Sequence, residues 1–140
     1  MVDSLSPEKR SWNMGRISGK NTKPELAVRS MLHRMGFQFR VNKKELPGKP
    51  DIVLTKYKTV VFVHGCFWHR HKNCRDASTP KTRTDFWQKK FDGNVVRDKR
   101  NIYSLDQMGW RVIVVWECEL KQPDALASKL KNQILSDHLL

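Results

Sequence analysis

Residues 64–74 run His-Gly-Cys-Phe-Trp-His-Arg-His-Lys-Asn-Cys, so eleven positions hold three imidazoles, two thiols and two adjacent large aromatics. Thiolates and imidazoles are the ligands zinc prefers. Cys66, His71 and Cys74, joined by Cys118 farther along the chain, have the makings of a closed Cys3His site. Spacing alone leaves His69 and His71 equivalent as its imidazole ligand. A closed tetrahedral site has no open position, so such a zinc would brace the loop and do no chemistry. The competing reading is buried free thiols beside surface histidines. Phe67 and Trp68 stand between the candidate ligands, in a stretch crossed by Arg70, Lys72 and Arg75. A large apolar pair in a basic loop is a poor way to build a core. It is a reasonable way to place a wedge against stacked bases.

A second chemistry starts at Asp51, which follows Pro50 and opens an apolar run, and at Val63-His64, which close the next run. A lone aspartate after a proline is most often turn chemistry. An acid on one strand of a hairpin with a partner on the next is also the skeleton of many metal-dependent nucleases. Those enzymes need oxygen ligands because magnesium is a hard ion. Asp51 offers a carboxylate oxygen, and a backbone carbonyl near Val63 offers another.

The elements that must carry these groups follow from pattern. Thr22 as N-cap, Pro24 in the first turn and Gly36 as terminator predict a helix to about Met35, with Leu26, Ala27, Ser30, Met31 and Met35 on one face. Glu25 in its first turn suits the helix dipole, which by itself accounts for an acid there. Strands are predicted at 37–41, from Asp51, over Thr59–His64 and over Trp110–Trp116, with a turn at Leu46–Pro50. Residues 84–108 read as helix broken at Gly93, with Val95, Ile102 and Leu105 facing inward. A last helix starts at Pro123 and buries Leu126, Leu130 and Ile134, as packing only. The order is α-β-β-β-α-β-α, an α/β sandwich with a mixed sheet. If the fourth strand lies beside the third, Cys118 reaches the Cys/His loop. Phe86 reads as a core residue, and Trp87 fits a core as readily as a wedge. Trp110 and Trp116 read as packing, and His33 and His138 as surface or cap residues. Arg97, Lys99 and Arg100 read as a solvated helix face, as phosphate contacts, or as both.

A chain of 140 residues predicts one domain, with residues 1–22 as a basic N-terminal arm or short helix that clasps a polyanion or simply frays. Lysine and arginine number 27 against 14 acids, a formal charge of +13. Solubility needs far less, so nucleic acid is the expected partner. No signal core or transmembrane run is present, which points to a cytosolic protein rather than a membrane one, and three cysteines in that compartment favour metal over disulfides.

Val63-His-Gly-Cys-Phe-Trp-His69, Pro47-Gly-Lys-Pro-Asp51, Thr82-Arg-Thr-Asp-Phe-Trp87 and Gly109-Trp-Arg-Val-Ile-Val-Val-Trp-Glu-Cys118 together resemble the very-short-patch repair (Vsr) mismatch endonucleases. The likeness is collinear from about Asn13 to about Leu120. It implies a restriction-endonuclease-like fold of the PD-(D/E)xK class with a structural zinc. It implies nicking 5′ to the thymine of a T:G mismatch left by 5-methylcytosine deamination. Carried over, Asp51 binds magnesium with help from the carbonyl of Val63, where the family's usual residue is threonine. His69 activates water, His64 assists near the phosphate, and Glu25 holds a metal-bound water. Cys66, His71, Cys74 and Cys118 bind zinc, and Phe67, Trp68 and Trp87 form the intercalating wedge. The loop is one residue longer before its second cysteine than the family pattern, with fewer histidines. The resemblance also implies a monomer in the bacterial cytoplasm, at the nucleoid, that can engage mismatch-repair proteins such as MutL. Two rivals are a non-catalytic zinc module that binds DNA, and a double-strand cutter of the same fold.

Overall fold

The computed structural model describes residues 22–74, 77–78 and 80–136. The proposed arm, apart from Thr22, and His138 lie outside them. Helix α1 spans Lys23–Arg34, with the Thr22 hydroxyl accepting from the Glu25 N–H at 3.4 Å. Strands β1 (Arg40–Val41), β2 (Ile52–Leu54) and β3 (Thr59–His64) follow, then a single turn α2 (Cys66–His69), the long helix α3 (Thr84–Gln107), β4 (Arg111–Trp116) and α4 (Pro123–Leu135). The four strands lie in the order β1-β2-β3-β4, antiparallel across the first two junctions and parallel across the third. The sheet is therefore mixed, as its sequence pattern implied.

Period-two alternation sends each strand's side chains to opposite faces, and both faces are covered. Ile52, Leu54, Val61, Ile113 and Val115 meet Val28, Met31 and Leu32 of α1 and Leu126, Leu130 and Ile134 of α4. On the other face Val53, Val60 and Phe62 meet Leu46, Leu105 and Trp110. Each fully buried aliphatic side chain contributes on the order of 1.5–3 kcal/mol. Two-sided burial is why β3 reads as an unbroken apolar run.

Several expectations change. The first strand pairs over Arg40–Val41 alone, because Phe37 turns into the core instead of extending the ladder. The buried stripe of α1 is Glu25, Val28, Met31 and Leu32, whereas Leu26 is exposed. Residues 66–69, expected as loop, form a helical turn. Helix α3 runs through Gly93 without a break, since one glycine costs a helix only about 1 kcal/mol. Val95 is only half-buried. Helix α4 does more than pack: Lys129 Nζ reaches Glu119 Oε2 at 2.9 Å and the Val114 carbonyl at 3.3 Å. Among the described residues no helix is long and apolar enough to cross a membrane.

Gly93 is exposed, and a Cβ there would meet nothing within 4 Å. Gly93→Ala is therefore expected to stabilise the protein by about 1 kcal/mol, read as a higher urea midpoint with an unchanged slope.

Candidate active site and thiol–imidazole cluster

The β2–β3 hairpin brings Asp51 beside the end of β3, where its Oδ2 accepts the Val63 N–H at 2.6 Å. The first turn of α1 supplies Glu25, which is 4% exposed and so is not a solvated dipole partner. Its Oε2 lies 3.6 Å from Arg29 NH2 one turn on. Burial pushes the Asp51 carboxyl up from 3.8 to about 7, opposed by the Val63 N–H and reinforced by Glu25. Two carboxyls crowded in a low-dielectric site form an oxygen-donor pair that a hard divalent cation would relieve. Their chemistry fits magnesium.

His64, at the end of β3, is buried and stacks on His69 of α2, with ring centroids 3.9 Å apart and planes within 5°. His69 Nδ1 lies 2.6 Å from Asp98 Oδ2 on α3. A carboxylate oxygen accepts, so Nδ1 carries the proton and Nε2 is the basic atom. Burial, then the His69 charge, lowers His64 to about 4, with Asp98 opposing. At neutral pH His64 is therefore an uncharged ring and not a cation. Glu25, Asp51, Val63, His64, His69 and Asp98 all line one cavity of about 350 Å³. Asp98 was missed in the sequence, where it hides among Arg97, Lys99 and Arg100. The available signal was a lone acid within a basic run of the helix.

The second cluster lies on the other side of Trp116. Ligand atoms of Cys66, His71, Cys74 and Cys118 fall within 4.8 Å of one another. His71 Nδ1 is 3.7 Å from Cys66 Sγ and 3.4 Å from Cys118 Sγ. A tetrahedral zinc with Zn–S about 2.3 Å and Zn–N about 2.0 Å requires edges of roughly 3.5 Å, so this donor set fits the ion. Burial pushes the Cys66 thiol up to about 12 and raises Cys118 as well. His71, not His69, joins the thiols. The imidazole of His71 stacks on Trp116 at 4.2 Å, and the same indole meets His64 edge-on at 5.3 Å. Trp116 is thus a spacer between the clusters, beyond simple packing.

Phe67 and Trp68 sit on α2 and touch Trp87 of α3, with centroids 5.8 Å apart in each case. Phe91, one turn beyond Trp87, is buried beneath them at 5.2 Å from Phe67, with the Arg70 guanidinium 4.0 Å above its ring. Trp68 is 40% exposed. Phe86, expected in the core, is 47% exposed, while Trp87 is half-buried. The reason is helical phase: Phe91 is four residues from Trp87, so Trp87 takes the inward position.

Residues 2–76 match the family described as DNA mismatch endonuclease Vsr. The chain is 51% identical over 132 residues to the type II nicking enzyme V.XorIIP of Xanthomonas oryzae, covering 94% of this chain and 96% of that protein. It is 42% identical over 139 residues to the DNA mismatch endonuclease Vsr of Escherichia coli, covering 99% and 86%. The catalytic domain of the homing endonuclease I-Bth0305I superposes with a TM-score of 0.60 at 21% identity, over 86% of this chain and 100% of that domain. That last likeness concerns the fold.

A carboxyl raised by burial penalises folding once it must ionise. Asp51 contributes its full stability below about 3.8 and loses it as the pH rises toward about 7, because the folded state holds a proton that the unfolded chain releases. In metal-free buffer Asp51→Asn is expected to gain melting temperature relative to wild type between pH 5 and pH 8. His64 cancels from this difference. An equal gap at both pH values, by calorimetry, would contradict the burial of this charge.

Proposed function

Because the chain belongs to the Vsr family of DNA mismatch endonucleases, we propose that it nicks one strand of duplex DNA on the 5′ side of the thymine in a T:G mismatch. It is a DNA nicking endonuclease of mismatch repair. The observation that carries the finer reading is the meeting, in one cavity, of a carboxyl pair with an imidazole whose other nitrogen is held by Asp98.

In this reading Asp51 would hold a magnesium ion with the carbonyl of Val63, Glu25 would hold a water on that ion, and the ion would supply charge neutralisation at the phosphate. His69 Nε2 takes the proton of the attacking water, a step worth typically 10²–10⁴-fold. Asp98 fixes the tautomer and orientation that make Nε2 the base. His64, uncharged, hydrogen-bonds beside the phosphate. Phe67, Trp68 and Trp87 enter the base stack next to the lesion. Unstacking costs a few kcal/mol per step, and a wobble pair is cheaper to open than a matched one. Cys66, His71, Cys74 and Cys118 hold a zinc that braces the turn carrying both the aromatics and His69. The whole chain acts as one domain and as a monomer, with residues 1–22 clasping the duplex, in the cytoplasm at the nucleoid. Mismatch-repair proteins such as MutL are candidate stimulators.

A duplex with a single T:G pair tests this. The thymine strand alone is expected to be cut, and only with magnesium. Asp51→Ala is expected to lose nicking by 10³-fold or more, on the order of a catalytic metal's contribution, while keeping binding within a few-fold. Cutting of both strands of matched duplex would favour a restriction-type enzyme. Binding without cleavage in any divalent metal would favour a zinc module. Cys118→Ala is expected to release zinc and lower the melting temperature by roughly 10 °C, since structural zinc binding is folding free energy. Unchanged melting of that variant would refute the zinc.

A further inference from the structure

Three carboxyl-bearing residues, Glu25, Asp51 and Asp98, line the cavity that the phosphodiester would enter. Arg29, 3.6 Å from Glu25, and one divalent cation would offset these carboxyls, and a phosphate brings further negative charge. Among the described residues lining the cavity, Lys49 alone carries a permanent positive charge. It stands two residues before Asp51, with the buried Pro50 between them.

Lys49 is not placed there by an ordinary surface loop. Gly48 and Lys49 both adopt left-handed backbone, with φ of +77° and +50°, and the Lys49 N–H is held by the Leu46 carbonyl at 3.0 Å. A lysine seldom takes that conformation. The turn is pinned at both ends: Leu46 is buried against Leu105 and Trp110, and Gly48 lies flush on Asn101 of α3, where an added Cβ would come within 2.9 Å of the Asn101 Cβ. Asn101 is three residues beyond Asp98 and so shares its helix face. One face of α3 thus both holds His69 through Asp98 and shapes the turn that presents Lys49.

We infer that Lys49 is a further catalytic residue, whose ammonium contacts the scissile phosphate opposite the carboxyl pair, with the Gly48–Asn101 contact aiming it. The inference rests on the phosphodiester-cleaving reading of this cavity. A lysine suits the task as a compact point charge with rotatable donors.

The test uses the full chain with Lys49→Gln and Lys49→Arg. Lys49 is exposed, so both variants are expected to fold. Single-turnover nicking of the T:G duplex at saturating enzyme with magnesium is expected to slow by about 10–100-fold in Lys49→Gln. Lys49→Arg is expected to recover most of that rate. Independently, the salt dependence of duplex binding in calcium, read by fluorescence anisotropy, is expected to lose a slope of about 0.9, the equivalent of one phosphate contact. An unchanged slope, with or without a rate loss, overturns the contact. A reduced slope with a wild-type rate overturns the catalytic role. Should wild type itself fail to nick with any divalent metal, the parent reading falls separately, and the slope still decides whether Lys49 touches phosphate.

Discussion

The parallel pairing of β3 with β4, in the register that sets His64 opposite Trp116, is the constraint on which both clusters depend. These residues are more than fifty positions apart in sequence. Once they pair, Cys118 lies two residues past the end of β4, level with Cys66 just past the end of β3. A slip of one residue would send Trp116 to the opposite face and carry Cys118 away from His71. The Glu119 carboxylate caps the strand end by accepting the Trp116 N–H at 2.9 Å, and Lys129 clamps that carboxylate from α4. A register built from apolar pairs is thus locked by one charge-assisted contact beside the fourth thiol-cluster ligand.

Helix α3 is the second organiser. Its early turns put Trp87 and Phe91 under the aromatics of α2, and Asn94 donates to the Trp68 carbonyl at 3.1 Å. Its middle carries Asp98 to His69, and its later turns bury Leu105 in the core. Aromatic prongs and the proposed base therefore sit on one short turn, docked on one long rigid helix and tied behind by the thiol–imidazole cluster. Phe67, Trp68 and His69 are consecutive on that turn, so the aromatics and the imidazole are held as one unit.

The electrostatics separate by depth. The surface is strongly cationic, as the net charge of +13 requires, and this draws the duplex in without reading its sequence. The cavity is the reverse: carboxyls dominate its wall, burial raises Asp51 and neutralises His64, and Lys49 stands at its edge. A basic exterior thus surrounds a pocket whose donors are mainly carboxylate oxygens and imidazole nitrogens.

The sequence by itself determined the main helices and strands, the mixed α/β class and the chemistry on offer. Continuous apolar runs can be read as strands buried on both faces, and a dense set of thiols and imidazoles is visible without coordinates. The resemblance carried by His64–His69 and Trp116–Cys118 then assigned roles that spacing could not. Asp98, Arg29, Lys49 and Asn101 stayed hidden. Each is an ordinary polar residue locally, and each gains meaning only from what lies across a distant strand or turn. The break expected at Gly93 and the misplaced Phe86 share a cause, because local propensity says nothing of which helix face the sheet will cover. Spacing left His71 and His69 equal for the thiols; the resemblance chose His71, and the β3–β4 register supplies the physical reason, because it brings Cys118 to that ring.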